Sequence, residues 1–227
     1  MSPASHEQRS ELGPGPRTKV RRLPQRARYD SETVHAILDE GWVCHLGVCA
    51  DGRVTLLPTV YARAGDVLYL HGAPANHALR TAESAGEACV TVTLVDALVL
   101  ARSAFHHSVN YRSVVAYGLA SEVTDRDEKR AALLAIVDHV VPGRATETRP
   151  PSDEELRATR VTKFVIDEAS AKVRTGGPLD EPADLGLESI WAGQLPLFLG
   201  TGSPVPEVDV VAPVPPYLSS YRRPGSP

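Results

Sequence analysis

The feature that most constrains this chain is a succession of short β-rich segments punctuated by turn dipeptides. Residues 42–49 and 53–61 flank Asp51-Gly52, a pair that tolerates the positive φ of a two-residue hairpin turn, and 67–72 follows after Ala64-Gly65-Asp66. Strands joined this tightly form an antiparallel meander. β-rich stretches resume at 88–101, 111–123, 160–173 and 193–199. In 88–101 both faces are β-rich, through Val90, Val92, Leu94, Val95, Val99 and Leu100 with Thr91 and Thr93, as in a barrel strand covered by a partner surface. Six or seven strands, joined mostly by turns, favour an antiparallel β-barrel over a doubly wound parallel sheet.

Short helices fit between these strands. Asp30 caps 31–40, whose Val34, Ile37 and Leu38 form one stripe and whose end is marked by Gly41. A helix over 74–84 is opened by Pro74 and closed near Gly86. Asp125 and Glu128 start a helix over 126–141 with Leu133, Leu134, Ile136, Val137 and Val140 as its apolar face, ended by Pro142-Gly143, and Ser152 with Glu155 opens a last short one.

The ends differ from this middle. Residues 1–28 carry prolines and a basic scatter of Arg17, Lys19, Arg21, Arg22, Arg26 and Arg28, and read as a mobile arm; residues 201–227 are proline-rich and read as an extended tail. One barrel domain over 29–200 remains. A net charge of −4 gives no electrostatic case for nucleic acid. With no apolar leader and no apolar run long enough to span a bilayer, a soluble cytoplasmic protein is expected. Cys44, Cys49 and Cys89 include no CxxC pair and read as small buried apolar residues, with no metal site.

Signatures of nucleotide-binding loops, zinc proteases and serine hydrolases are absent, so polar residues that interrupt apolar strands are the candidates. In His71-Gly72-Ala73-Pro74-Ala75-Asn76-His77 a strand passes through small residues into a helix start, where free N–H groups and two histidines suit a phosphate, or form an ordinary tight connection. The stretch from Ala101 to Ser113 offers Arg112 and Ser113 as the polar wall of a cofactor pocket, or a loop whose polar groups satisfy each other. Alternation puts Lys172 and Arg174 on one strand face with Ser170, where they meet solvent or an anion, and Trp191 either stacks on a planar ring or fills the core. Cations, hydroxyls and an aromatic without an acid–base pair suit a cofactor that does the chemistry itself.

Together, Arg53 to Tyr61, the Leu68-to-Ala73 strand end, the Phe105-to-Val115 block and Ala169-to-Gly176 resemble the pyridoxamine 5′-phosphate oxidase-like proteins, in particular the flavin-nucleotide-binding branch that includes nitroimidazole-resistance proteins. The resemblance implies a six-stranded split barrel, a homodimer with FMN at the subunit interface, and an oxidoreductase acting on a small organic molecule. It places His71, Gly72, Ala73, Ala75 and His77 against the FMN phosphate, Pro58 and Thr59 beside the flavin ring, Arg112 with Ser113 as a further cofactor-contacting pair, and Lys172, Arg174 and Trp191 near flavin or substrate. Pro58 and His77 stand where the oxidases proper carry lysines, which implies weaker phosphate binding or a different cofactor, and the vitamin B6-binding pattern is not recognisable. The alternatives are haem, with His71, His106 or His107 as axial ligand, and a flavin-binding module without turnover.

Overall fold

A computed structural model describes residues 9–221 of the chain. Its eight strands are β1 (Ala27–Arg28), β2 (Val43–Ala50), β3 (Arg53–Ala64), β4 (Val67–Gly72), β5 (Ala88–Leu100), β6 (Ser108–Glu122), β7 (Arg160–Arg174) and β8 (Gly193–Pro196). The helices are α1 (Ser31–Glu40), α2 (His77–Ala85), α3 (Arg126–Val140), α4 (Asp153–Ala158) and a single turn, α5 (Pro216–Ser219).

All pairings are antiparallel, and the order β7-β4-β3-β2-β5-β6 closes on itself because β6 also pairs with β7. Six strands therefore form the barrel, and the other two are appended where it splits. β7 pairs with β4 through residues 160–165 and, further along, carries β1 at Ala171 and Lys172. In the same way β5 pairs with β2 at Cys89–Thr91 and carries β8 at Ala97–Leu100. The two extra strands cover edges that the longer strands would otherwise leave unpaired.

The hairpin at Asp51-Gly52 forms as its residues require, with φ of 50° and 71°. Inward-facing Leu46, Val48, Val90, Val92, Val114, Ala116, Phe164, Ile166, Ala169 and Ala171 fill the barrel, and α1 adds Val34, Ile37 and Leu38. The α2 helix starts at His77 rather than at Pro74, because the Asn76 side chain accepts the Leu79 N–H at 3.1 Å and caps it there. The strand expected from residue 111 begins at Ser108, and β8 stops at Pro196. Of the cysteines only Cys44 is fully buried, which pushes its thiol up to about 12; Cys89 is half-buried, and Cys49, near the hairpin tip, is exposed.

Residues 9–28 are not a free arm. Leu12 is buried in the core; its N–H donates to Tyr29 O at 2.9 Å, and its carbonyl accepts the Ala169 N–H at 2.8 Å. Arg17 donates to Glu87, Asp167 and Glu168, and Arg9 to Asp66, so these two members of the basic segment neutralise the barrel's own carboxylates. Residues 1–8 of the expected arm lie outside the described residues. The expected extended tail runs exposed over much of 201–215 but docks at its end: Tyr221 donates to Val140 O at 2.5 Å and its ring lies 6.1 Å from that of Trp42. Residues 222–227 lie outside the described residues. Among the described residues no helix is long and apolar enough to cross a membrane.

Candidate functional site

Register decides which candidates share a surface, since residues directly opposed on neighbouring strands point the same way. Pro58 opposes His45, which opposes Thr91, then Val115, then Ser170. Ser113 lies between Thr93 and Lys172, and Tyr111 between Val95 and Arg174. Pro58, Ser113, Lys172 and Arg174 therefore stand on one outward-facing field across β3, β2, β5, β6 and β7. Lys172 makes no side-chain hydrogen bond or ion pair with any described residue. Arg174, expected to face solvent or an anion, is buried instead and donates to Asn110 Oδ1 and to the carbonyls of Gly176 and Gly177, both at 3.2 Å.

Arg112 and Thr59 do not belong to this field. Arg112 opposes buried Leu94, on the inward side, and its guanidinium holds Glu40 of α1 and Asp96 of β5, the latter at 2.7 and 3.0 Å. These partners raise its pKa further, Asp96 first, so the cation read as a cofactor ligand is committed to fastening α1 onto the barrel. Thr59 opposes buried Cys44, and its hydroxyl donates to Val60 O at 3.2 Å. Trp191 is 67% exposed, against the core reading; its ring lies over Gly193, where a Cβ would come within 2.7 Å of it.

In the connection between β4 and α2, some of the groups expected to meet a phosphate are engaged within the chain. The Leu79 N–H is taken by Asn76, the His77 imidazole sits 2.7 Å from Thr81 Oγ1, and Ala73 and Ala75 are exposed. Arg160, opposite Gly72, is engaged by Glu83 and Glu122 and also donates to Pro74 O at 3.4 Å. His71 is the exception in this loop. Its Nδ1 is buried without a hydrogen-bond partner, and burial pushes its pKa down from the ordinary 6.5, leaving a neutral imidazole at neutral pH. A buried polar atom left unpaired is costly enough to call for a ligand or another compensating group.

His71 lines an open cleft of about 570 Å³, flanked by Leu133, Leu134, Ile136 and Val137 of α3 on one side and by the chain from Arg144 to Thr159 on the other. That volume lies within the range of cofactor sites, about 300–1,000 Å³; the lining is apolar along α3 and polar along the facing chain, through Arg144, Glu147, Thr148, Arg149, Glu155 and Thr159. The apolar stripe of α3 was legible in the sequence; that the stripe turns part of itself toward His71, with Arg144 and Arg149 at the edge, was not. A larger groove of about 1,050 Å³ runs along β4, β6 and β7 beside Arg9 and Arg17. Its cations Arg9, Arg17 and Lys163 are all paired with carboxylates, so it lacks an orphaned group like that of His71. Among the described residues no three His, Cys, Asp or Glu side chains gather to hold a metal.

A closed six-stranded split barrel with this connectivity defines the class. The family model for pyridoxamine 5′-phosphate oxidase matches residues 30–173, and the chain belongs to that family. Two solved structures are similar over most of their length: a flavocytochrome, Anf3, from Azotobacter vinelandii, 38% identical over 92% of this chain and 97% of that one with a TM-score of 0.84; and a FAD- and haem-binding protein from Mycobacterium smegmatis, 33% identical over 86% and 96%, TM-score 0.80. A protein provisionally assigned to 5-nitroimidazole antibiotic resistance, from Bacteroides thetaiotaomicron, is 24% identical over 65% and 86% with a TM-score of 0.56, which shows a shared fold. No functionally curated protein matches the chain in sequence.

Proposed function

We propose that this protein is an oxidoreductase that binds both a flavin and haem, works as a homodimer in the reducing cytoplasm, and passes electrons between a small organic molecule and a second redox partner. The observation that carries the haem half is His71: a neutral, half-buried imidazole whose buried Nδ1 has no hydrogen-bond partner, on the wall of a cleft lined on one side by apolar α3 residues. No cluster of further protein ligands accompanies it, so a metal held there has to bring ligands of its own, as a porphyrin iron does. Apolar α3 side chains suit the faces of a macrocycle, and Arg144 and Arg149 suit its carboxylate edge. When bound, haem supplies one-electron chemistry and flavin links one- and two-electron steps. The chain's own task is then to exclude water, present His71 in neutral form and keep the two groups apart.

Support for two cofactors comes from the Azotobacter flavocytochrome and the mycobacterial FAD- and haem-binding protein, each similar over more than four fifths of this chain. The second of these favours FAD over the FMN expected from sequence. The flavin half is assigned to the outward field of Pro58, Ser113 and the unpaired Lys172, with Trp191 near its edge. A second copy of the chain is the natural cover for the exposed apolar residues of the surrounding sheet, which include Val54 and Leu56 on β3 and the directly opposed row Val109, Leu98 and Leu195.

The test is the absorption spectrum of purified full-length protein, alone and with FMN, FAD and haem added. An intense band near ~400 nm beside flavin bands near ~370 and ~450 nm is expected, and His71→Ala should remove the first while sparing the others. A haem band that survives His71→Ala overturns the assignment of the ligand, and flavin bands alone leave a flavoprotein without the haem half.

A further inference from the structure

We propose that Arg144, positioned by Tyr217 of the C-terminal tail and assisted by Arg149, recognises the carboxylates of the ligand held in the His71 cavity, and so selects a dicarboxylate macrocycle over an uncharged one. The proposal rests on the haem reading above and concerns only the edge of that site.

Arg144 lies in the short turn after α3 and lines the cavity. A guanidinium carries five donors in a rigid fork, suited to carboxylates. One of its nitrogens reaches Glu147 at 3.3 Å and the Tyr217 hydroxyl at 3.1 Å. Charge-assisted bonds between nitrogen and carboxylate oxygen are normally about 2.7–2.9 Å, so the contact with Glu147 is long and exchangeable. Tyr217 makes the stronger claim on that carboxylate: its hydroxyl donates to Glu147 at 2.5 Å. The phenol thus holds Glu147 and supports Arg144, and the remaining donors of Arg144 have no partner among the described residues.

Arg149 is more committed. It makes two bonds to Glu155, at 2.6 and 2.7 Å, and Glu155 also accepts the Ser152 N–H as part of the cap of α4, which fixes it in place. Glu155 lines the same cleft, so Arg149 contributes guanidinium donors at its edge rather than a second net charge. Exposed ion pairs of this kind contribute little to stability, so both arginines are replaceable without unfolding the chain. Tyr217 reaches this place because the tail is anchored beyond it by Tyr221 on Val140 O, at the end of the same helix.

The experiment titrates apo full-length protein with haem and, separately, with its dimethyl ester, in which both carboxylates are masked. Absorbance and tryptophan fluorescence report binding independently of turnover. The wild type is expected to prefer the free acid by about tenfold or more, with Arg144→Met removing most of that preference, Tyr217→Phe part of it and Arg149→Met less than Arg144→Met. Arg144→Lys, which keeps the charge but not the fork, should retain an intermediate preference that high salt erodes. Affinity for the ester should stay unchanged in all four variants. Equal wild-type affinity for acid and ester, or a preference that survives Arg144→Met, overturns the proposal. A failure of the haem reading itself looks different: neither compound binds, or both bind equally well to His71→Ala.

Discussion

Arg112 and Ser113 are neighbours in sequence and point to opposite sides of β6, and the difference decides what each can do. Arg112 is spent on Glu40 and Asp96, whereas Ser113 stands beside Lys172 on the open field. Removing one partner of a part-buried charged pair leaves the other poorly solvated, so Arg112→Met should cost about 2–3 kcal/mol in urea unfolding. The flavin and haem spectra of the folded variant should be unchanged; a variant of normal stability that loses flavin would return Arg112 to the cofactor site. His35 shares the pH dependence of stability with His71, whose pKa burial also lowers. His35 is buried on α1 with Asp66 at 3.0 Å, and its pKa is lowered, first by burial and then by Arg63, against the opposing pull of Asp66 and Asp39. A histidine whose folded pKa lies below its unfolded 6.5 binds fewer protons when folded, so stability falls as pH drops through 6.5 towards the folded value. Urea midpoints at neutral pH and about one unit below 6.5 should show this loss, and His35→Gln should reduce it, leaving the part due to His71.

At the scale of elements, local chemistry and long-range pairing agree over most of the chain. Asp51-Gly52 holds the β2–β3 hairpin with both residues at positive φ, which a β-branched side chain resists. Gly52→Val should therefore lower stability by about 1–3 kcal/mol, measured by thermal unfolding, whereas Gly52→Asn should cost much less. Ser152 and Glu155 cap α4 reciprocally, as their spacing requires, and Asp30 and Asp125 cap α1 and α3. The helix misplaced by sequence, α2, shows where such reasoning stops. Pro74 and Asn76 are both acceptable helix starters, and Asn76 prevails because its side chain accepts the Leu79 N–H, while Arg160 holds Glu83 of α2 and Glu122 of β6.

For the whole molecule the barrel closes between β6 and β7, strands separated by two helices in sequence, and the exposed apolar rows are left on its outside. If a second copy covers them, Leu98→Glu should place a charge in the middle of the Val109–Leu98–Leu195 row. Sedimentation should then show a monomer that has lost flavin affinity yet keeps haem, because the lining of the His71 cleft, from β4, α3 and the chain between Arg144 and Thr159, includes none of that row. A dimeric Leu98→Glu variant with normal flavin content would place the interface elsewhere.

What the sequence determined by itself was the type of sheet and the elements between residues 31 and 196, since alternation, caps and turn residues act over a few positions and need no partner; β1 and α5 lie in segments it read as arm and tail. It also marked His71, because a histidine that ends an apolar strand is conspicuous. Only the tertiary structure decided that Arg112 faces α1, that Trp191 lies exposed over Gly193, that the basic N-terminal segment docks through Leu12 and Arg17, and that α3 and the chain after it wall a cavity at His71. The reason is physical. Which face a strand residue shows, and which carboxylate a cation meets, depend on register and closure between segments far apart in the chain, and those are settled only when the barrel closes.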